Sequence, residues 1–220
     1  MNAANRDYHH PLIIRLTHWV NFLALGIMVV SGLRIYNASP IWNFRVPEEL
    51  TFGGWLAGAR QWHFFAMWLF FINGFVWVVY NLATRHGRRT TIFGRADLGG
   101  VIPMMLYYLR LRKEHPAGGK YNALQKLAYT VVPLLALGAI LSGLAIYWPV
   151  QFGVLTRLFG RYDEARVFHF IFMAGLVLFF AGHLLMVVIA GWRNFVSMIT
   201  GWSGFPEPAP PSPPPPPPAE

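Results

Sequence analysis

The chain contains no cysteine. That absence removes disulfides, thiolate-ligated iron–sulfur clusters and the C-x-x-C-H attachment of a covalent haem, so any metal must be held by histidine, methionine or oxygen ligands. Charge is scarce too: 12% of the 220 residues are Asp, Glu, Lys or Arg, against 55% hydrophobic residues. With a mean hydropathy of +0.40, this balance places the chain in the membrane class, since soluble domains rarely reach it. Acidic residues are scarcest, nine against eighteen basic, for a formal net charge of +9. The basic residues lie between long apolar runs rather than in one continuous patch, which excludes nucleic acid as the partner and leaves membrane lipid. The start also lacks a short apolar core with a small-residue cleavage site. The run after His18 continues to about Gly32, and the first helix is expected to be retained.

Four apolar stretches reach spanning length, Leu12 to Leu33, Trp62 to Ala83, Leu127 to Trp148 and Val167 to Gly191, each near the roughly 20 residues that a bilayer core requires. A spanning backbone must satisfy its own hydrogen bonds, so all four are predicted helices. The weaker stretch Leu98 to Leu111 contains Pro103 and ends near Arg110, Arg112 and Lys113, which suits a helix in the interface better than a fifth span.

Twelve Lys and Arg fall on the side of both termini, nine of them between Arg85 and Lys126, and six fall on the other side. Positive residues favour the cytoplasm. The expectation is therefore an all-α integral membrane protein, a four-helix bundle with N- and C-termini cytoplasmic, multi-pass in a bacterial inner membrane. Trp19, Trp42, Trp55, Trp62, Trp148 and Trp192 cluster near the span ends, as amphipathic rings do at headgroup level. Residues 1–205 are expected to form the membrane domain, and 206–220, almost entirely proline, a disordered cytoplasmic tail.

Of the eight histidines, His18, His63, His169 and His183 fall inside or at the rim of the spans. An ionisable residue there is a functional candidate by default. At about 1.5 Å rise per residue, His18 and His183 lie about 7 and 6 Å to the cytoplasmic side of their span midpoints, and His63 and His169 about 14 and 15 Å to the outer side. His169 and His183 are 14 residues apart, which returns to within roughly 40° of one helix face and separates them by about 21 Å. One helix thus offers two ligands to one interior. A haem iron with two axial imidazoles needs two histidines at one depth on facing helices, and this occurs twice, as His18 with His183 and His63 with His169. Two stacked b haems are the economical explanation.

A proton pathway would usually include buried carboxylates, and the spans contain no Asp or Glu. Gly26, Gly74, Gly143, Gly175 and Gly182 lie within spans, and Gly175, between the two histidines of the fourth, would let a macrocycle approach the backbone or simply promote helix packing. Arg15 sits three residues before His18 and suits either a haem propionate or a cytoplasmic anchor. His9, His10, His86 and His115 lie outside the spans.

On these residues the chain resembles the di-haem cytochrome b subunits of NiFe-hydrogenases, respiratory formate dehydrogenase (gamma subunit) and thiosulfate reductase, and more distantly bacterial cytochrome b561. Arg15-Leu16-Thr17-His18-Trp19 looks like the first-helix Arg-x-x-His-Trp pattern, Gln61-Trp62-His63-Phe64 like the second-helix ligand, and Val167-Phe168-His169 to Gly182-His183 like the two-ligand fourth helix. The resemblance implies a subunit that anchors a periplasmic redox partner and exchanges its electrons with quinone beside the inner haem. Lys120 to Lys126 looks like the cytoplasmic entry to the third helix where the formate dehydrogenase subunit binds quinone, with Asn122 and then Gln125 as its hydrogen-bond partners. Read by itself, Asn122 is equally a helix N-cap.

The proline tail and short outer loops depart from the hydrogenase and dehydrogenase subunits. A periplasmic molybdenum enzyme, a hydrogenase or a c-type cytochrome would each serve as partner. The alternatives are a stand-alone cytochrome b561-like quinone oxidoreductase, or a haem-free transporter or membrane anchor.

Overall fold

The computed structural model describes residues 7–8, 10–84, 93–116 and 122–203; the proline tail lies outside them. Four long helices dominate: α1 (Leu12–Ala38), α2 (Leu56–Ala83), α4 (Ala123–Tyr147) and α6 (Tyr162–Ala190). All four are long and apolar enough to cross a membrane. Shorter helices are α3 (Leu98–Tyr108, with Pro103 inside), α5 (Gly153–Leu158) and α7 (Trp192–Thr200). Two-residue strands β1 (Asp7–Tyr8) and β2 (Trp202–Ser203) pair antiparallel, bringing the two ends of the described chain together.

The spanning helices start earlier or run later than the apolar runs suggest, because their polar end residues find partners. α1 continues past Leu33 while Arg34 Nη1 donates to Glu48 Oε1 at 2.8 Å. Asn37 then holds Val46 on both sides, donating Nδ2–H to its carbonyl at 2.8 Å and accepting its amide at 2.9 Å. α6 begins at Tyr162, and its first turn carries Asp163 and Glu164, where carboxylates face the positive end of the helix dipole. The fourth helix stops at Gly191, whose φ of 86° suits a residue without Cβ, and the chain resumes in α7.

Large apolar side chains point outward: Leu82, Leu178 and Val188 are exposed, whereas Ala24, Ala59, Ala66, Ala145 and Ala165 are fully buried. Lipid tails are as apolar as leucine, so small residues that let backbones approach hold such helices together. The backbones of α1 and α2 run close along their length, and so do those of α4 and α6. Asn73 of α2 ties the first hairpin by donating to the Thr17 carbonyl at 2.7 Å and to Asn21 Oδ1 at 2.8 Å. Between the hairpins the backbones do not approach in this way. Rings bridge them instead, among them Phe22 with Phe180 at 5.7 Å and Phe64 with Tyr147 at 4.4 Å between centroids.

At the end of the bundle where the described chain begins and ends, the residue before α3 is tied to α4 by a half-buried ion pair, Lys126 Nζ to Asp97 Oδ1 at 2.7 Å. That hydrogen bond, with the Gly94 amide on Oδ2 at 2.9 Å, holds the Asp97 carboxyl below its ordinary pKa. A depressed carboxyl pKa stabilises the fold above the unfolded-state value and loses that contribution as pH falls through the lowered one. Asp97→Asn should therefore weaken the fold at neutral pH and flatten the loss of stability below about pH 4, as read by thermal unfolding across pH in detergent.

Candidate functional site

The four intramembrane histidines meet as two pairs across the gap between the hairpins. His63 of α2 and His169 of α6 face each other with ring centroids 6.3 Å apart, and His18 of α1 and His183 of α6 with centroids 5.9 Å apart. The planes in each pair are inclined by 66° and 62°. These are the pairs that depth along the spans predicts. Among the described residues no group of three or more His, Asp or Glu is placed to hold a metal ion. Each pair therefore offers two imidazoles and no third protein ligand of that kind.

The pair of His63 and His169, which lies away from the described chain ends and is termed outer, is fixed from behind. His63 Nδ1 lies 3.0 Å from the Met28 carbonyl and 3.3 Å from Ser31 Oγ, both on α1. His169 Nδ1 lies 3.0 Å from the Ala139 carbonyl and 3.1 Å from Ser142 Oγ, both on α4. A carbonyl only accepts, so each Nδ1 carries the hydrogen and each Nε2 keeps its lone pair. Glycine makes the approach possible. A Cβ at Gly32 would meet His63 Cε1 at 3.3 Å, and one at Gly143 would meet His169 Cε1 at 3.2 Å.

The inner pair lies near the chain ends. Its surroundings include Trp19, with its ring centroid 5.3 Å from that of His18, and Phe179, stacked 5.8 Å from His183. Trp19 Nε1 donates to the Met198 carbonyl at 3.0 Å and Arg15 Nη1 to the Ile199 carbonyl at 2.5 Å. Both satisfy the open end of α7. Arg15 Nε is buried and has no hydrogen-bond partner among the described residues.

Asn122 and Gln125 sit at the start of α4, at the end of the bundle where α3 packs. They form a reciprocal cap: Asn122 Oδ1 accepts the Gln125 amide at 2.9 Å, and Gln125 Oε1 accepts the Asn122 amide at 3.0 Å. Asn122 Nδ2 donates to Tyr108 Oη at 3.0 Å. The capping role is thus realised in the structure. Gly175 turns toward its own hairpin, where an added Cβ would meet Leu135 at 3.2 Å, so its part is helix packing.

Residues 9–201 match the family of prokaryotic cytochrome b561 proteins. The chain belongs to that family. A putative protein-methionine-sulfoxide reductase subunit, YedZ1, of Azospira oryzae is 41% identical over 192 residues, 87% of this chain and 96% of that protein. A probable Ni/Fe-hydrogenase B-type cytochrome subunit of Cupriavidus necator is 27% identical over 218 residues, 91% of this chain and 88% of that one. No solved structure matches. Membership makes the chain a multi-pass membrane protein of electron transport with b-type haem.

The cytochrome's histidine pairs fit that group. Two imidazoles bonded at about 2 Å to opposite sides of one iron have centroids about 6 Å apart, close to the separations of both pairs. The buried Arg15 Nε, three residues before His18, is a donor without an acceptor among the described residues and would suit a carboxylate-bearing ligand.

Reading the cytochrome by its ionisable residues misses Ser31 and Ser142, and a signal for them exists. Ser-Gly-Leu-x-Ile-Tyr occurs at 31–36 and again at 142–147, one copy in α1 and one in α4. The copies work alike. Each serine donates to the carbonyl four residues back, at 2.6 and 2.7 Å, and each abuts a histidine of its hairpin partner. Tyr36 rests on Phe170, which follows His169, while Tyr147 rests on Phe64, which follows His63. This reciprocal exchange is the mark of a local two-fold relation. Gly32→Leu or Gly143→Leu should detach the Nδ1 hydrogen bonds of the adjacent histidine, as read by imidazole nitrogen NMR. Gly26→Leu, where an added Cβ meets nothing within 4 Å, should leave them intact.

Proposed function

We propose that the protein carries electrons across the bacterial inner membrane, between the quinone pool and a periplasmic redox subunit, by way of two stacked b haems. His63 and His169 would hold the outer one, His18 and His183 the inner one. The observation that carries this reading is the meeting of all four intramembrane histidines in two facing pairs that share α6. When bound, each haem supplies a one-electron couple.

The chain's own residues supply position and environment. The Met28 and Ala139 carbonyls keep the hydrogen of His63 and His169 on Nδ1 and leave Nε2 as the ligating atom. Aromatic rings flank both pairs, Phe64 beside His63, and Trp19 and Phe179 beside His18 and His183. Arg15 would turn its bare Nε to a propionate while its Nη1 stays on α7. The quinone would bind near the start of α4, where Asn122 Nδ2 carries a second hydrogen beyond the one given to Tyr108, with Gln125 adjacent. The excess of basic residues on that side favours a cytoplasmic position for both termini.

The relatives guide the choice of partner. The relative at 41% identity is named as a subunit of a protein-methionine-sulfoxide reductase, which favours an outward flow from quinol to a periplasmic reductase. A hydrogenase partner, as in the name of the 27% relative, would drive electrons inward.

Single alanine variants should fall into two classes. His18→Ala and His183→Ala remove the same component of the reduced-minus-oxidised spectrum, and His63→Ala and His169→Ala remove the other. In proteoliposomes, a water-insoluble quinol should reduce the outer component of the intact protein but not that of His18→Ala, which dithionite still reduces. Retention of both native components in all four variants contradicts the assignment.

A further inference from the structure

The Met28 and Ala139 carbonyls already accept from Nδ1 of His63 and His169, so the hydroxyls of Ser31 and Ser142 are not needed to satisfy those nitrogens. Each Oγ gives its hydrogen to its own helix, Ser31 to the Ile27 carbonyl at 2.6 Å and Ser142 to the Gly138 carbonyl at 2.7 Å. The oxygen lone pairs are left toward the histidine, 3.3 Å from His63 Nδ1 and 3.1 Å from His169 Nδ1. Each Nδ1–H is therefore shared between two acceptors, a carbonyl and a hydroxyl, in the same geometry on both sides of the outer pair. Both serines are buried, so no bulk water competes for these contacts. His18 and His183 are flanked instead by the rings of Trp19 and Phe179. The repeat places Tyr129 and Trp77 at the positions equivalent to that inner pair, so the two-fold frame belongs to the outer site alone.

We propose that Ser31 and Ser142 are a matched pair of positioning residues that set the ring orientation of His63 and His169 and lower the reduction potential of the outer site. The proposal rests on the assignment of those histidines as haem ligands. An acceptor on Nδ1–H draws that proton outward and makes Nε2 a stronger donor, which favours ferric over ferrous iron. Removing one of two acceptors weakens that push. The two-fold relation adds a sharper expectation: the two serines act equally, because each stands behind one of the two histidines that would hold the same iron.

Ser31→Ala, Ser142→Ala, the double variant and the two threonine variants are titrated potentiometrically as purified holoprotein, with the outer component identified by its loss in His63→Ala. Each alanine variant should raise the outer midpoint potential by a similar amount, equivalent to about a two- to tenfold change in the redox equilibrium constant, the size of one hydrogen bond. The double variant should show roughly the sum. Threonine, which keeps the hydroxyl, should restore the native value, and the inner potential should stay where it was. The low-spin ferric electron paramagnetic resonance signal of the outer site should shift with the alanine variants, since it reports ring orientation.

An outer potential and signal unchanged in both alanine variants would overturn the proposal while leaving the ligand assignment standing. Equal movement of inner and outer components, or no rescue by threonine, would assign the serines a merely structural part. Native spectra in His63→Ala and His169→Ala would instead remove the ligand assignment on which the proposal rests.

Discussion

In a hydrocarbon solvent apolar side chains gain nothing by turning inward, so small and polar residues decide how these helices meet. α1 closes on α2, and α4 on α6, where alanine and serine leave the backbones free to approach. Asn73 adds a polar tie inside the first hairpin. Between the hairpins the same constraint acts in reverse. Imidazole, phenyl and phenol rings face each other there and keep the backbones apart. The space between the imidazole-bearing faces follows from tight pairing within each hairpin and ring-spaced contact between them.

The outer half of that space is framed twice by the same short segment. Serine and glycine of α1 and α4 stand in equivalent relations to the histidine of their hairpin partner, and tyrosine to the phenylalanine that follows the histidine of the other hairpin. The inner half breaks the relation, since Tyr129 and Trp77 stand at the positions equivalent to His18 and His183. The two pairs therefore share a separation but differ in support. The outer imidazoles are held from behind by α1 and α4, and the inner ones sit beside α7, whose final carbonyls are tied to Arg15 and Trp19.

Much of this was legible in the sequence, for reasons particular residues make plain. Four histidines without a carboxylate in the spans are hard to explain as ordinary polar residues, and matched depth alone pairs them as the fold does. Helix ends were less legible. Arg34 and Asn37 look like loop residues until the outer segment at Val46 and Glu48 folds back to satisfy them. Asn122 reads as a cap, and a cap is what it forms. Ser31 and Ser142 give no sign of their role when read singly, because a serine in a membrane helix ordinarily bonds to its own backbone. Only side-by-side comparison of the first and third spans exposes the repeat. α7 was hidden by its short length and mixed polarity, which no spanning-length criterion detects.

The central claim is that one chain holds two b haems between its hairpins. Its most direct test is a pyridine haemochrome assay on the detergent-purified protein, with protein quantitation on the same sample after expression under adequate haem supply. Two b haems per chain is the predicted result. One haem or none would contradict the account, because the two imidazole pairs would then not share the same ligating role.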